Sequence, residues 1–147
     1  MTDKFQLLHS LLEKKTNSTP LDLSGLIWRD EPEKPEVPRG FKDANFRDVL
    51  FTKAHLEYKS LIYSQLNSFN FDGAKLDEVM FTFSTLNDCS FVDAKIRFFV
   101  AQASFRRCNF TRALIHQRSM MAGIGQARFI ECDFTGCTFK KMAARAC

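Results

Sequence analysis

The sequence contains few histidines, the residues that most often serve as general acids and bases in enzymes. Its 147 residues include only three histidines and one tryptophan. The histidines, His9, His55 and His116, are scattered along the chain. It has no glycine-rich phosphate loop, no paired-carboxylate cleft and no metal-ligand spacing. The sequence therefore predicts a protein that is not an enzyme and binds no cofactor or metal.

Long apolar segments are also absent. No apolar run approaches the length of a membrane span, so no span is predicted. The first fifteen residues carry charge from the start and have no small-residue cleavage site, unlike a signal peptide. The sequence thus predicts a cytoplasmic protein.

What the sequence has in abundance is phenylalanine, with sixteen residues against two tyrosines. From Phe41 to Phe139 a large apolar residue recurs at every fifth position, apart from two four-residue steps, and the residue two places earlier is usually small. A period of five fits neither the 3.6 of a helix nor the 2 of a strand. The pattern therefore predicts a repeat architecture, with one large and one small inward residue per unit.

The units "ANFRD", "AHLEY", "AKLDE", "CNFTR" and "CDFTG" resemble those of the pentapeptide-repeat family. The resemblance covers roughly residues 41–139, although Lys59, Phe69, Phe98 and Arg118 occupy small-residue positions. It implies an all-β solenoid, a right-handed quadrilateral β-helix with about twenty residues per turn. For this chain we expect about five turns, preceded by a short N-terminal α-helix.

With four units per turn, every fourth large residue stacks on the same face, and the units sort into four columns. The third column then reads Phe51, Phe71, Phe91, Phe110 and Phe129. This sorting places Phe134 on the fourth face and Phe139 on the first. It treats the steps Ile96 to Val100 and Met120 to Ile124 as shortened units, with either Val100 or Ala101 pointing inward at the first.

The chain divides into three parts. Residues 1–40 are predicted to hold an amphipathic helix over 4–15, a capping segment and a proline-rich linker. Residues 41–140 form the repeat coil and 141–147 a C-terminal tail. Leu21 and Leu26 are in phase with the repeat, so the capping segment is either an incomplete extra turn or a cap over the first turn.

The five cysteines do not indicate a metal site or a disulfide framework. Four of them fall on small inward positions where alanine and serine otherwise occur, namely Cys89, Cys108, Cys132 and Cys137. We therefore interpret them as small buried apolar residues. Cys147 is expected to be a free terminal thiol.

Positive charge is concentrated in the second half of the chain. Residues 1–94 hold 11 Lys and Arg against 15 Asp and Glu, whereas residues 95–147 hold 10 against 2. A candidate basic binding surface consists of Arg97, Arg106, Arg107, Arg112 and Arg118. Such a cluster attracts an acidic protein surface, nucleic acid or anionic lipid, unless it is simply solvated.

A second candidate surface is an apolar stripe on the first face, where the small-residue rule also fails. Its residues are Ile62, Tyr63, Phe83, Phe99 and Met121. An outward apolar stripe on a repeat protein usually contacts something. The alternatives are contact with the chain's own N-terminal helix, with a second copy of the chain or with a foreign protein, or merely a local distortion of the coil.

These features favour a binding or scaffold module that acts through protein–protein contacts. The family resemblance implies a bacterial protein and leaves secretion as an effector open. A homodimer through the solenoid end or the first face is a further expectation. The alternative function is a DNA mimic or direct regulator of a topoisomerase, gyrase or other nucleic-acid enzyme. Mimicry needs an acidic surface, whereas this chain carries a net charge of +4.

Overall fold

The computed structural model describes residues 10–11, 19–29, 39–40, 45–100, 102–117 and 127–141. Within these ranges the chain is built from short β-strands, and helical backbone is confined to Ser10 and Leu11. The rest of the predicted helix over 4–15, most of the proline-rich linker and the tail after residue 141 lie outside the described residues.

The described residues form fifteen strands of two to six residues. They are β1 (Leu21–Asp22), β2 (Ile27–Trp28), β3 (Arg39–Gly40), β4 (Asn45–Arg47), β5 (Val49–Leu50), β6 (His55–Glu57), β7 (Lys59–Ser60), β8 (Gln65–Asn67), β9 (Lys75–Met80), β10 (Thr85–Asn87), β11 (Lys95–Phe99), β12 (Ser104–Arg106), β13 (Leu114–Gln117), β14 (Arg128–Ile130) and β15 (Thr138–Lys141).

Each strand pairs in parallel with the strand one turn away along the chain. One sheet has the order β14-β12-β10-β8-β4, and a second runs β15-β13-β11-β9-β6-β2. Parallel neighbours about twenty residues apart in sequence define a coil, since each turn hydrogen-bonds only to the turns beside it. The described residues thus form an all-β parallel solenoid of about four turns, against about five expected for the complete repeat.

Four columns of large side chains fill the interior, one column for each face of the coil. The first face contributes Leu61, Phe81 and Val100; the second Phe46, Leu66, Leu86, Phe105 and Phe129; the third Phe51, Phe71, Phe91, Phe110 and Phe134; the fourth Leu56, Leu76, Ile96, Ile115 and Phe139. Every member from Phe51 to Ile115 is buried. Such burial stabilises the fold by about 1.5–3 kcal/mol for each large side chain.

The first short step behaves as the sequence predicts. Ile96 pairs with Ile115 and Leu86 with Phe105, each nineteen residues on, so this turn is one residue shorter. Val100 is fully buried, which resolves the choice between Val100 and Ala101. The shortened turn follows an irregularity in the β9–β11 register between Arg97 and Phe98.

The interpretation of the second short step is wrong. Phe105 pairs with Phe129, and Ile115 with Phe139, each 24 residues on. The turn is therefore four residues longer than the regular twenty, not one shorter. Phe129 lies on the second face and Phe139 on the fourth. Met120 and Ile124, on which the sequence-based count relied, lie in residues 118–126, outside the described part. The register beyond them is given by the strand pairing and not by their spacing.

The N-terminal segment continues the coil. Leu21 of β1 is in register with Val49 of β5, and Trp28 of β2 with Leu56 of β6. The expected phase of Leu21 and Leu26 is therefore wrong: Leu21 lies opposite a small position, and the buried Trp28 occupies a large one. β3 pairs with β7 in the same parallel sense. Of the two alternatives for this segment, parallel pairing corresponds to an incomplete extra turn, whose edge covers the first full turn.

Candidate functional site

The interior of the coil is occupied by side-chain packing. On the third face Phe71, Phe91 and Phe110 stack with ring centroids 5.0 and 4.7 Å apart. Within the described residues no group of three or more His, Cys, Asp or Glu side chains could hold a metal ion. Binding chemistry must therefore be sought on the outer faces and at the ends.

The cysteines occupy the small positions of the coil, as the sequence predicts, but Cys132 and Cys137 are only half-buried. Cys89 and Cys108 are buried, and the Cys108 thiol donates to the carbonyl of Leu86 at 3.4 Å. Hydrogen bonding with the Cys89 thiol, followed by burial, raises the pKa of Cys108. Burial also raises the pKa of Cys132. These thiols stay protonated at neutral pH, which is the state of an unreactive cysteine.

Lys59 departs from the small-residue rule for a structural reason. Its side chain is 1% exposed, and its Nζ lies 4.5 Å from the ring centroid of Trp28, which is itself buried. A cation over a tryptophan ring is attracted by the ring quadrupole. The lysine that replaces a small residue at position 59 thus forms a contact between the N-terminal segment and the first full turn.

Two arginines of the predicted basic surface are neutralised across neighbouring turns. Arg107 donates to both carboxylate oxygens of Asp88 at 2.8 and 3.1 Å. Arg112 binds Asp93 in the same way at 2.8 and 2.9 Å. Hydrogen bonds from these guanidinium groups lower the pKa of Asp88 and Asp93. Both carboxylates are therefore ionised at neutral pH and cancel the charge of their partners.

The other three arginines have different settings. Arg97 lies with Nη1 3.8 Å from Oδ1 of Asp77. Arg106 is exposed on the second face and takes part in no ion pair within the described ranges. Arg118 lies outside them. The surface predicted from the sequence is thus divided between two faces and two corners, and much of its charge is balanced.

The structure brings two residues of the predicted apolar stripe together. The rings of Tyr63 and Phe83 are stacked, with centroids 5.0 Å apart and planes 5° from parallel. They are 50% and 44% exposed. Ile62 beside them is half-buried. The side chain of Phe99 and the whole of Met121 lie outside what the structure describes.

Tyr63 and Phe83 stand at the corner between the first and second faces. Their φ angles are 54° and 59°, in the left-handed region that bulky side chains seldom adopt. Every turn of the coil needs such a residue at its corners, and Asp48, Ser68 and Asp88 fill the corner between the second and third faces. Polar residues of this kind tolerate the conformation best, so two aromatic residues in succession are unusual for this position.

The fourth face carries cations that the sequence pattern did not single out as a group. Lys75 of β9 and Lys95 of β11 are in register, and both are exposed. Arg97, His116 and Lys140 form the neighbouring row of outward residues on β11, β13 and β15. The signal is visible in the sequence only when residues about twenty positions apart are compared, because these side chains are neighbours across turns.

In the part of the chain that the structure describes, no helix is long and apolar enough to cross a membrane.

A parallel β-coil with four faces per turn, a five-residue repeat and alternating large and small inward residues defines a solenoid of the pentapeptide-repeat type. No protein-family model matches the sequence, and no curated relative matches it either.

Solved structures similar to this one are pentapeptide-repeat proteins. Rfr23 from the cyanobacterium Cyanothece 51142 is 13% identical, with a TM-score of 0.39 over 82% of this chain and 84% of that chain. QnrB1, a plasmid-mediated fluoroquinolone resistance protein, is 15% identical, with a TM-score of 0.43 over 83% and 71%. HetL, involved in heterocyst differentiation regulation in Nostoc sp. strain PCC 7120, is 9% identical, with a TM-score of 0.30 over 82% and 58%.

Proposed function

We propose that this protein is a non-enzymatic binding module that acts through protein–protein contacts. The filled interior leaves the outer surface as the place where specificity can reside. A rigid coil holds surface side chains at fixed spacing, about 4.8 Å from turn to turn, which suits it to present an ordered contact surface. The proposal concerns this class of function and names no host process.

The observation that carries the proposal is the exposed aromatic stack of Tyr63 and Phe83. Aromatic side chains are enriched at the energetic centres of protein interfaces, because they bury a large area at a small cost in conformational entropy. Here the two rings order each other and are held on a fixed corner. A partner that covers both rings gains their apolar area without having to order them.

The net charge of +4 does not favour the alternative of DNA mimicry. A DNA mimic needs a predominantly acidic surface to occupy a basic groove. The fourth face of this coil instead carries Lys75 on β9, Lys95 and Arg97 on β11, and Lys140 on β15.

Affinity purification from the source cells tests the proposal with a double variant, Tyr63→Ser/Phe83→Ser. We expect at least one protein that the wild type captures to be lost with this variant. The matched control is Ile27→Ser/Ile130→Ser, which removes two other exposed apolar side chains, 59% and 39% exposed, and should capture the same proteins as the wild type. Tyr63 and Phe83 together form what we call the aromatic corner. Identical capture by all three proteins would refute docking at the aromatic corner.

A second copy of the chain is one candidate partner for this corner. Light scattering decides it, since Tyr63→Lys or Phe83→Lys would place a charge in the interface and convert a dimer to a monomer. A wild type that is already monomeric at micromolar concentration would exclude self-association through the corner and leave a foreign protein as the occupant.

A further inference from the structure

The outward residues of the fourth face form a cationic strip along the coil, which we call the lysine strip. It consists of Lys75, Lys95, Arg97, His116 and Lys140. Lys75 and Lys95 are in register on adjacent strands, which places their backbones about 4.8 Å apart. Arg97, His116 and Lys140 follow in register in the next outward row.

The charge of the two lysines is not balanced within the described part of the chain. No ion pair there includes Lys75 or Lys95, whereas Arg107 and Arg112 each hold an aspartate. Like charges directly opposite each other on neighbouring strands destabilise a sheet. The coil therefore keeps an electrostatic cost on this face, which an anionic ligand placed between the two ammonium groups would relieve.

Burial and then nearby cations lower the pKa of both histidines on the fourth face, His55 and His116. After burial, Arg97 and Lys140 are the main influences that lower the pKa of His116, while Asp77 opposes them. Lys75 and Arg29 act in the same direction on the pKa of His55, against Glu57 and Asp77. Two groups at different turns thus experience a net positive surrounding.

Acidic side chains on the same face narrow the choice of anion. Glu57 accepts a hydrogen bond from Arg29 at 2.9 Å, and Asp77 lies beside Arg97. A nucleic-acid backbone or a lipid surface presents uniform negative charge, which these carboxylates would repel. The described outward positions on β6, β9, β11 and β13 also include no Phe, Tyr or Trp ring on which a base could stack. A protein can instead place its carboxylates only where this face has lysines.

We propose that the lysine strip binds an acidic segment of a protein partner, whose carboxylates pair with Lys75 and Lys95. The inference rests on the proposed function, since it assigns a second contact surface to the same binding module. The strip and the aromatic corner belong to different faces, so the two contacts can be tested separately.

Fluorescence anisotropy with three labelled probes tests the assignment on the full chain. The probes are a helical peptide of glutamate and alanine, a DNA duplex of equal charge, and vesicles of phosphatidylcholine with phosphatidylserine. We expect the wild type to bind the peptide most tightly. Lys75→Glu/Lys95→Glu should weaken peptide binding about tenfold, because two attractive contacts become repulsive. Raising the salt concentration from about 50 to 200 mM should reduce the difference between wild type and variant.

Arg47→Glu/Arg106→Glu is the matched control, since it changes the net charge equally but on the exposed second face. It should retain peptide affinity within about twofold, because screening limits the effect of distant charges. Tyr63→Ser/Phe83→Ser should bind the peptide like the wild type, which separates a failure of the lysine strip from a failure of the aromatic corner. Circular dichroism checks folding, and Lys75→Gln/Lys95→Gln replaces the glutamate variant if that variant does not fold.

Three results would overturn the assignment. The first is the absence of peptide binding by the wild type. The second is equal weakening in the lysine variant and its second-face control, which would indicate attraction by net charge alone. The third is tighter binding of DNA or vesicles than of the peptide, lost in the lysine variant, which would make the strip a site for a uniform polyanion.

Discussion

At the scale of single residues, Phe91 shows how strongly the coil depends on its stacked rings. Its side chain is fully buried between Phe71 and Phe110, and the planes of these neighbouring rings lie within 12° of its own. Phe91→Ala would remove both stacking contacts and leave a cavity that the neighbouring turns cannot close. We expect a loss of about 3–5 kcal/mol in the free energy of unfolding, measured by urea denaturation.

Phe139→Ala is the matched control, because Phe139 also fills an interior column yet is 52% exposed. It should cost only about 1 kcal/mol, since less apolar surface returns to water. Phe91→Leu keeps most of the volume and should cost less than about 1.5 kcal/mol. Equal losses for Phe91→Ala and Phe139→Ala would contradict this account of the packing.

Two histidines, His55 and His116, should make the free energy of unfolding depend on pH. Burial, followed by nearby cations, lowers the pKa of His55 and His116 below the ordinary 6.5. As pH falls, the unfolded chain therefore binds protons at these groups before the folded chain does. Their contribution to stability is full above about pH 6.5 and is lost as pH falls through the lowered values.

We therefore expect the free energy of unfolding to decrease between about pH 7 and pH 5, and less so in His55→Gln/His116→Gln. The carboxylates with lowered pKa, such as Asp88 and Asp93, lose their contribution only at lower pH, below about 3.8. Urea titrations of both proteins at several pH values isolate the histidine effect. Parallel pH profiles for the two proteins would be incompatible with it.

At the scale of strands and turns, the sequence predicts the columns but not every register. The five-residue period places Phe51, Phe71, Phe91 and Phe110 on one face, because each regular turn has four equal sides. Beyond residue 117 the same count goes wrong, since it assumes that each apolar residue at the right spacing fills the interior. Two glycines, Gly123 and Gly125, were the local sign that the repeat is interrupted there.

The candidate surfaces were predictable only in part, for a related reason. Charge counted along the chain shows a basic second half, yet Arg107 and Arg112 pair with Asp88 and Asp93 from the previous turn. Compensation across turns depends on the register and on rotamers, which the repeat pattern does not specify. The aromatic corner was easier to predict, because Tyr63 and Phe83 are twenty residues apart and share one corner.

Cysteine cross-linking tests the corrected register. Arg106 on β12 and Ile130 on β14 are directly paired. Their Cα atoms should be about 4.8 Å apart, within the range that a disulfide spans. We expect Arg106→Cys/Ile130→Cys to form a disulfide under mild oxidation, detected by peptide mass spectrometry. Arg106→Cys/Gly125→Cys represents the register counted from the sequence and should not cross-link. The reverse result would restore the sequence-based register.

At the scale of the whole molecule, stability should vary along the coil. Each turn of a solenoid contacts only its neighbours, so a turn at the end is supported from one side. Phe129 and Phe134 are only partly buried, and Phe139 is largely exposed, whereas Phe105, Phe110 and Ile115 are almost completely enclosed. Residues 127–141 should therefore open locally at lower free energy than the central turns.

Native-state hydrogen exchange measured by mass spectrometry checks this gradient. We expect the slowest exchange over residues 61–117 and faster exchange over 127–141, because the end turn can open without the centre. Uniform protection along the coil would mean that its C-terminal end is covered in solution. Repeating the measurement at low and high protein concentration then identifies the cover: protection that appears only at high concentration comes from a second copy, and protection independent of concentration comes from the chain itself.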